Sequence, residues 1–115
     1  GSNSARRLAQ YQSAAFGIEG AAQMAARAYV QSSSQSLAPF AAARSAAIAG
    51  RNHGLVITTS DVSITCDATQ CLVPGTNVRI TVRATKRFGI GPFTRDAHLE
   101  AHTVFVVDAY RQVPS

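Results

Sequence analysis

The chain has no tryptophan, and aromatic residues make up only 7% of its 115 residues. Hydrophobic residues make up 46%, but many of them are alanine, which buries little area per residue. The core must therefore be thin. A chain of this length forms one small domain with at most two layers of secondary structure.

Long hydrophobic runs are also missing. No stretch of about 18 uncharged apolar residues occurs, so no segment of the sequence is expected to span a bilayer. Residues 1 to 4 look like a cloning scar and linker, because Gly-Ser is a common leftover at an engineered start. A helical pattern follows directly, which predicts that a membrane-spanning helix preceded it in the native protein.

Acidic residues are few, with 6 Asp and Glu against 11 Lys and Arg, and Lys86 is the sole lysine. One basic cluster occupies a stretch without any acid and contains Arg79, Arg83, Lys86, Arg87 and Arg95. Such a cluster predicts a surface for DNA or another polyanion. The alternative is that these charges keep an exposed sheet soluble and protect its edge.

Cysteine is limited to Cys66 and Cys71. An even pair in a small domain predicts a disulfide and an oxidising compartment. Two free thiols or half of a metal site are the alternatives, although zinc needs two more ligands and only Asp67 lies close by.

Motifs for catalysis are absent as well. The sequence contains no Gly-x-Ser-x-Gly and no phosphate-binding glycine loop, so we expect neither enzymatic activity nor a cofactor. His98, Glu100 and His102 alternate along a predicted strand and form the one weak metal candidate. The same spacing is typical of a solvent-facing strand on which Glu100 pairs with Arg79 or Arg83.

An alanine-rich pattern predicts one long helix over residues 5 to 31. Its apolar seam has heptad-like spacing and comprises Leu8, Tyr11, Ala15, Ile18, Ala22, Ala25 and Tyr29. A second stripe of small residues allows close backbone approach and comprises Ala14, Gly17, Gly20, Ala21 and Ala28. This stripe either admits the chain's own second helix or sheet, or it packs against neighbouring subunits.

A second helix is predicted from about Leu37 to Ala49. Pro39 is compatible with its first turn, and Gly50 lies where a left-handed C-terminal residue is expected. β-branched stretches follow at 55–58, 62–66, 78–84 and 99–109. Helices over about 5–49 followed by a sheet over about 54–110 predict an α+β domain, with both helices on one face of a three- to four-stranded antiparallel sheet.

The alternation in the 78–84 stretch predicts a buried face and an outward face that carries Arg79 and Arg83. After it, Phe88, Ile90 and Phe93 place large apolar side chains in a stretch rich in glycine and proline, which predicts a loop. That loop covers either the edge of the chain's own core or a neighbouring subunit.

Four segments in this order resemble the TadE family of minor pilins, which are type IV pilin-like subunits of tight-adherence pili. They are Ile18 to Tyr29, the alanine-rich run at 41–47, Cys66 to Val82, and Ala97 to Arg111. The resemblance covers nearly the whole chain.

The resemblance implies a structural minor pilin or pseudopilin that acts in pilus assembly or adhesion. It would be anchored by a single N-terminal membrane helix and exposed on the outer side of a bacterial membrane. Its partners would be other pilin subunits, and the resemblance supplies no catalytic residues. The alternative function is an exposed module that binds DNA or an anionic surface through the basic strand face.

Overall fold

The computed structural model describes residues 2–107 of the chain. Helix α1 spans Ser2–Val30 and helix α2 spans Ala38–Arg51. A short 3-10 turn at Thr59–Asp61 leads into three strands, which are β1 (Val62–Cys66), β2 (Asn77–Ile90) and β3 (Phe93–Val106). The strands form one antiparallel sheet in the order β1-β2-β3. The predicted α+β fold, with two helices packed on an antiparallel sheet of three strands, is confirmed.

Helix α1 buries a stripe that combines the two sequence patterns. Its fully buried residues are Ala14, Ile18, Ala21, Ala22, Ala25 and Tyr29. Ala15, expected in the seam, is only half-buried, and the side chains of Leu8 and Tyr11 lie outside the part that the structure describes. Since most of these residues are small, the helix lies close to the elements that it covers.

Helix α2 runs two residues beyond its predicted end. Pro39 lies in its first turn as predicted. The prediction for Gly50 was wrong, because Gly50 is a buried helical residue and the left-handed glycine is Gly54, with a φ of 72°. A Cβ at Gly50 would lie 2.5 Å from Cδ1 of Ile57, so the glycine allows the following segment to pack against the helix.

The inner face of the sheet forms the other half of the core. It presents Val78, Ile80, Val82, Ala84 and Ala101, all of them buried. The alternation along β2 therefore predicted its two faces correctly. The segment 55–58 is not a strand, because it contributes only one antiparallel bridge, between Val56 and Thr85. Leu55 and Ile57 are buried in the same core, and this burial explains their apolar character without a fourth strand.

The predicted loop over 88–93 is mostly strand. β2 continues to Ile90 and β3 begins at Phe93, which leaves Gly91 and Pro92 as the turn. Gly89 and Gly91 have φ values of 116° and 61°, so glycine here supplies the backbone conformations of a tight hairpin end. β3 starts six residues earlier than the predicted strand over 99–109, and residues 108 and 109 lie outside the described part.

The loop between β1 and β2 is held by two separate links. The predicted disulfide between Cys66 and Cys71 is confirmed. The side chain of Gln35 then joins this loop to the helices, because its Oε1 accepts a hydrogen bond from Leu72 N–H at 2.8 Å and its Nε2 donates to the Tyr29 hydroxyl at 2.9 Å. The loop is therefore connected both to the sheet and to the end of α1.

Candidate functional site

The basic cluster divides between the two faces of the sheet. Arg79, Arg83 and Arg87 alternate along β2 on the outer face and are exposed. Lys86 belongs to the opposite face, where its Nζ donates to the His53 carbonyl at 3.0 Å and lies 5.8 Å from the centre of the Phe88 ring. Arg95 is opposite Phe88 in the register and also belongs to that face. The five cations therefore do not form one surface.

Strand β3 brings acids next to two of the three outward arginines. Arg83 is opposite Glu100, with 4.0 Å between Nη2 and Oε1, and Arg87 Nε donates to Asp96 Oδ1 at 3.2 Å. The pairing of Glu100 with Arg83 is one of the two alternatives predicted from the sequence, whereas the pairing of Asp96 with Arg87 was not predicted. Arg79 is opposite Val104 and Thr65, which carry no charge. Because acids lie beside Arg83 and Arg87, the outer face carries less positive charge than the β2 sequence alone suggests.

The weak metal candidate lies on this same outer face. His98, Glu100 and His102 are exposed and alternate along β3 as predicted. Glu100 is opposite Arg83 rather than Arg79, while His98 Nδ1 lies 3.4 Å from the Thr85 hydroxyl. Within residues 2–107, no group of three or more His, Cys, Asp and Glu side chains could hold a metal ion.

The stripe of small residues on α1 faces mainly the chain's own elements. Ala14, Gly17 and Ala21 are buried, and a Cβ at Gly17 would lie 2.6 Å from the Cβ of His53. Ala28 is half-buried. Gly20 is exposed, and nothing lies within 4 Å of the position of its missing Cβ. Of the five predicted packing residues, Gly20 is the one that a neighbouring subunit could reach most directly.

A shallow groove between the helices surrounds this glycine. It has a volume of about 400 Å³, and its lining includes Gly20, Met24, Ile48 and Ala49. Phe16 lies one turn before Gly20 on α1, and 76% of its surface is exposed. Phe16 was not predicted as a contact residue, although a large apolar side chain outside the apolar seam indicates an exposed apolar site.

The apolar residues of the predicted loop differ in how far they are buried. Phe88 packs against the core as a half-buried side chain, consistent with covering the core edge. Phe93 is 82% exposed at the hairpin end. The side chain of Ile90 lies outside the described part. The hairpin end thus presents Phe93 as an exposed apolar side chain.

Comparison with known proteins does not assign the chain to a family. No family model, curated protein or solved structure matches the chain. Within the described helices, none is both long enough and apolar enough to cross a membrane. The resemblance to TadE-family pilins, and the anchor, location and partners that it implies, stay predictions.

Proposed function

We propose that the chain is the exposed domain of a membrane-anchored minor pilin or pseudopilin of a tight-adherence type pilus. It acts in assembly or adhesion through protein contacts, without catalysis or a cofactor. Its partners are other pilin subunits, and its location is the outer side of a bacterial membrane. The order of a long helix, a returning helix and an antiparallel sheet with a disulfide supports this proposal.

The observation that carries the proposal is the distribution of exposed apolar side chains. Phe16 and Met24 are 76% and 42% exposed on α1, and Ile48 is 51% exposed on α2. Met24 and Ile48 line the groove at Gly20. Phe16 lies one helical turn before Gly20, so the three side chains follow an apolar strip along the helical layer. Contiguous exposed apolar surface of this kind is typical of protein–protein interaction sites.

The DNA-binding alternative has weaker support. Two of the outward arginines lie beside acids, and among residues 2–107 that face carries no exposed Phe or Tyr side chain for base stacking. Replacing Arg79 and Arg83 with Gln should change the free energy of unfolding by about 0.5 kcal/mol or less. If the alternative is correct, the wild type binds DNA and the double variant binds it more weakly, with a smaller dependence on salt.

The most direct test of the pilin proposal is the native sequence upstream of Ser4 together with a gene deletion. A hydrophobic run of about 20 residues is expected upstream. Deleting the gene should reduce or abolish surface pili in electron micrographs, and the intact gene should restore them. A polar upstream segment, or unchanged pili in the deletion strain, would contradict the proposal.

Photo-crosslinking in the native cell tests the helical strip itself. A photoreactive amino acid in place of Phe16 should give crosslinks to other pilin subunits. The matched control places it at Gln70, an exposed residue of the disulfide loop. Equal crosslinking from both positions would mean that the strip on α1 is not the contact surface.

A further inference from the structure

The outer edge of β3 has no strand partner among residues 2–107. β3 is 14 residues long and stays in register with β2 over its whole length. Proteins usually protect an exposed edge with charged side chains, above all lysine, or with proline or a bulge, because a bare edge can pair with another chain. β3 contains neither lysine nor proline, and its pairing with β2 shows no bulge. Its charged residues are Arg95, Asp96 and Glu100, and the two acids lie beside Arg87 and Arg83 of β2.

The hydrogen bonds at the ends of the sheet establish which backbone groups lie at this edge. Val107 N–H donates to the Thr76 carbonyl at 2.9 Å, so the backbone groups of Val107 face β2. In an antiparallel pair this direction alternates from residue to residue. The residues of β3 whose N–H and C=O groups point to the free edge are therefore Thr94, Asp96, His98, Glu100, His102, Val104 and Val106.

The charges on these residues discriminate between registers for pairing with a second copy. Two identical strands that pair antiparallel are related by a two-fold axis. When this axis passes through a residue, the outer face of one copy lies beside the outer face of the other. An axis at His98 would place Asp96 opposite Glu100 of the second copy, and an axis at Glu100 would place the two Glu100 carboxylates opposite each other. Like charges in directly opposed positions destabilise a strand pair.

An axis at Leu99 removes these conflicts. It places His98 opposite Glu100, and Asp96 opposite His102, and each pair occurs twice by symmetry. An imidazole N–H can donate to a carboxylate whether the ring is neutral or charged. Moving the axis to Ala97 or Ala101 keeps fewer complementary pairs and shortens the overlap of the strands.

The inner face supports the same register. Leu99 meets its own copy, and Ala97 meets Ala101 of the other strand. Phe93, which is 82% exposed, is then opposite Phe105, whose ring already packs edge-on against Tyr29 at a centroid distance of 6.5 Å. Aromatic pairs across strands are among the favourable side-chain pairs in sheets.

We propose that two copies of the chain associate through their β3 edges, antiparallel and centred on Leu99, to form a continuous six-stranded sheet. Each copy contributes its three strands. This contact goes beyond the proposed function and does not depend on it, because the argument uses only the β3 edge. A chain that does not dimerise would overturn the contact and leave the pilin proposal standing.

A charge exchange tests the register by sedimentation equilibrium on the whole chain. His98→Glu places a glutamate opposite Glu100 twice in the dimer and should weaken dimerisation about tenfold. Adding Glu100→His restores a carboxylate opposite an imidazole at both positions. The dimer dissociation constant of the double variant should therefore return to within about threefold of the wild-type value. Gln70→Glu, which introduces the same new acid in an exposed loop, is the matched control and should have no effect.

A proline tests the role of the backbone. His98→Pro removes an N–H that points to the free edge and leaves the hydrogen bonds to β2 in place, so it should weaken dimerisation at least about tenfold. His98→Ala keeps the N–H and should change it by less than about threefold. Circular dichroism verifies that both variants fold.

Two results would overturn the proposal. One is a wild-type chain that stays monomeric up to about 1 mM. The other is a dimer that neither His98→Pro nor the charge exchange affects, since that dimer would use another surface.

Discussion

Gln35 links the helical layer to the disulfide loop through one side chain. Its amide donates to the Tyr29 hydroxyl and accepts from the backbone of Leu72, which is buried. Burial raises the pKa of Tyr29 above its ordinary value of 10.0, and the hydrogen bond from Gln35 offsets part of this rise. The contact with Leu72 spans 37 residues of sequence and the contact with Tyr29 spans 6, and composition and periodicity gave no indication of either.

Gln35→Ala should lower the free energy of unfolding by about 2 kcal/mol, because it removes two hydrogen bonds and leaves a buried N–H without its partner. Chemical denaturation measures this change. Gln70→Ala, at an exposed position in the same loop, is the control and should change stability by about 0.5 kcal/mol or less. Equal effects of the two substitutions would contradict the role assigned to Gln35.

Asp67 provides a pH-dependent contact in the same loop. Its carboxylate accepts hydrogen bonds from the side chain of Asn77 at 2.8 Å and from its backbone N–H at 3.0 Å, and these bonds lower the pKa of Asp67 below its ordinary value of 3.8. A lowered folded-state pKa means that the carboxylate stabilises the fold above pH 3.8. This contribution is lost as the pH falls through the folded-state pKa.

An NMR titration of the Asp67 carboxyl carbon should therefore give a pKa below 3.8 in the wild type. Asn77→Ala removes the side-chain donor and keeps the backbone donor, so the pKa should rise toward the ordinary value without reaching it. An unchanged Asp67 pKa in the variant would contradict the assignment.

At the scale of elements, the two central glycines of α1 have opposite surroundings. Gly17 lies against the segment that follows α2, and an added Cβ would lie 2.6 Å from the Cβ of His53. Gly20 lies one turn away, next to open space. Two glycines that look equivalent in the sequence therefore have different structural consequences.

Gly17→Ala should destabilise the chain by about 1 to 3 kcal/mol, because the methyl group would displace the packed segment. Gly20→Ala should stabilise it by up to about 1 kcal/mol, because alanine favours the helix and meets no neighbour. Thermal and denaturant unfolding of both variants measures the difference. A loss of stability at Gly20 similar to that at Gly17 would show that the two surroundings are not as described.

Elements whose sequence pattern is local were predicted more accurately than features that depend on residues distant in sequence. The alternation along β2 predicted its buried face, and the composition change near residue 53 predicted the order of helices before strands. The strand lengths could not be predicted, because Phe88 to Phe93 contains turn residues that the fold concentrates at Gly91 and Pro92. The ion pairs of Arg83 and Arg87 depend on the register between β2 and β3, which periodicity within one strand does not specify.

For the molecule as a whole, the shape is elongated, with extents of 56 × 20 × 19 Å. Helix α1, with 29 residues, is about 43 Å long. Strands β2 and β3, with 14 residues each, are about 46 Å long, so both layers contain elements of nearly this length. The apolar strip with Phe16 and Met24 lies along this helix, whereas the free edge of β3 belongs to the sheet. Two separate surfaces are therefore available for contacts, and a variant at one should leave the other intact.

The strands of the sheet have very unequal lengths. β1 has 5 residues, and β2 and β3 have 14 each. Beyond Val82, where the pairing with β1 ends, β2 has only β3 and a single bridge at Thr85 beside it. Local opening needs less free energy where fewer contacts must break, so amide protons of the hairpin from Arg87 to Thr94 should exchange with solvent faster than those of Ile80 and Val82.

Hydrogen exchange followed by mass spectrometry measures this gradient in a single experiment. Trypsin provides a second readout, because Arg87 and Arg95 lie in the two-stranded end and Arg79 lies in the three-stranded part. Cleavage should begin at the hairpin end and reach Arg79 last. We therefore expect a stable base beside the disulfide and a hairpin tip that opens at a lower cost in free energy. That tip carries Phe93, the most exposed apolar ring of the sheet.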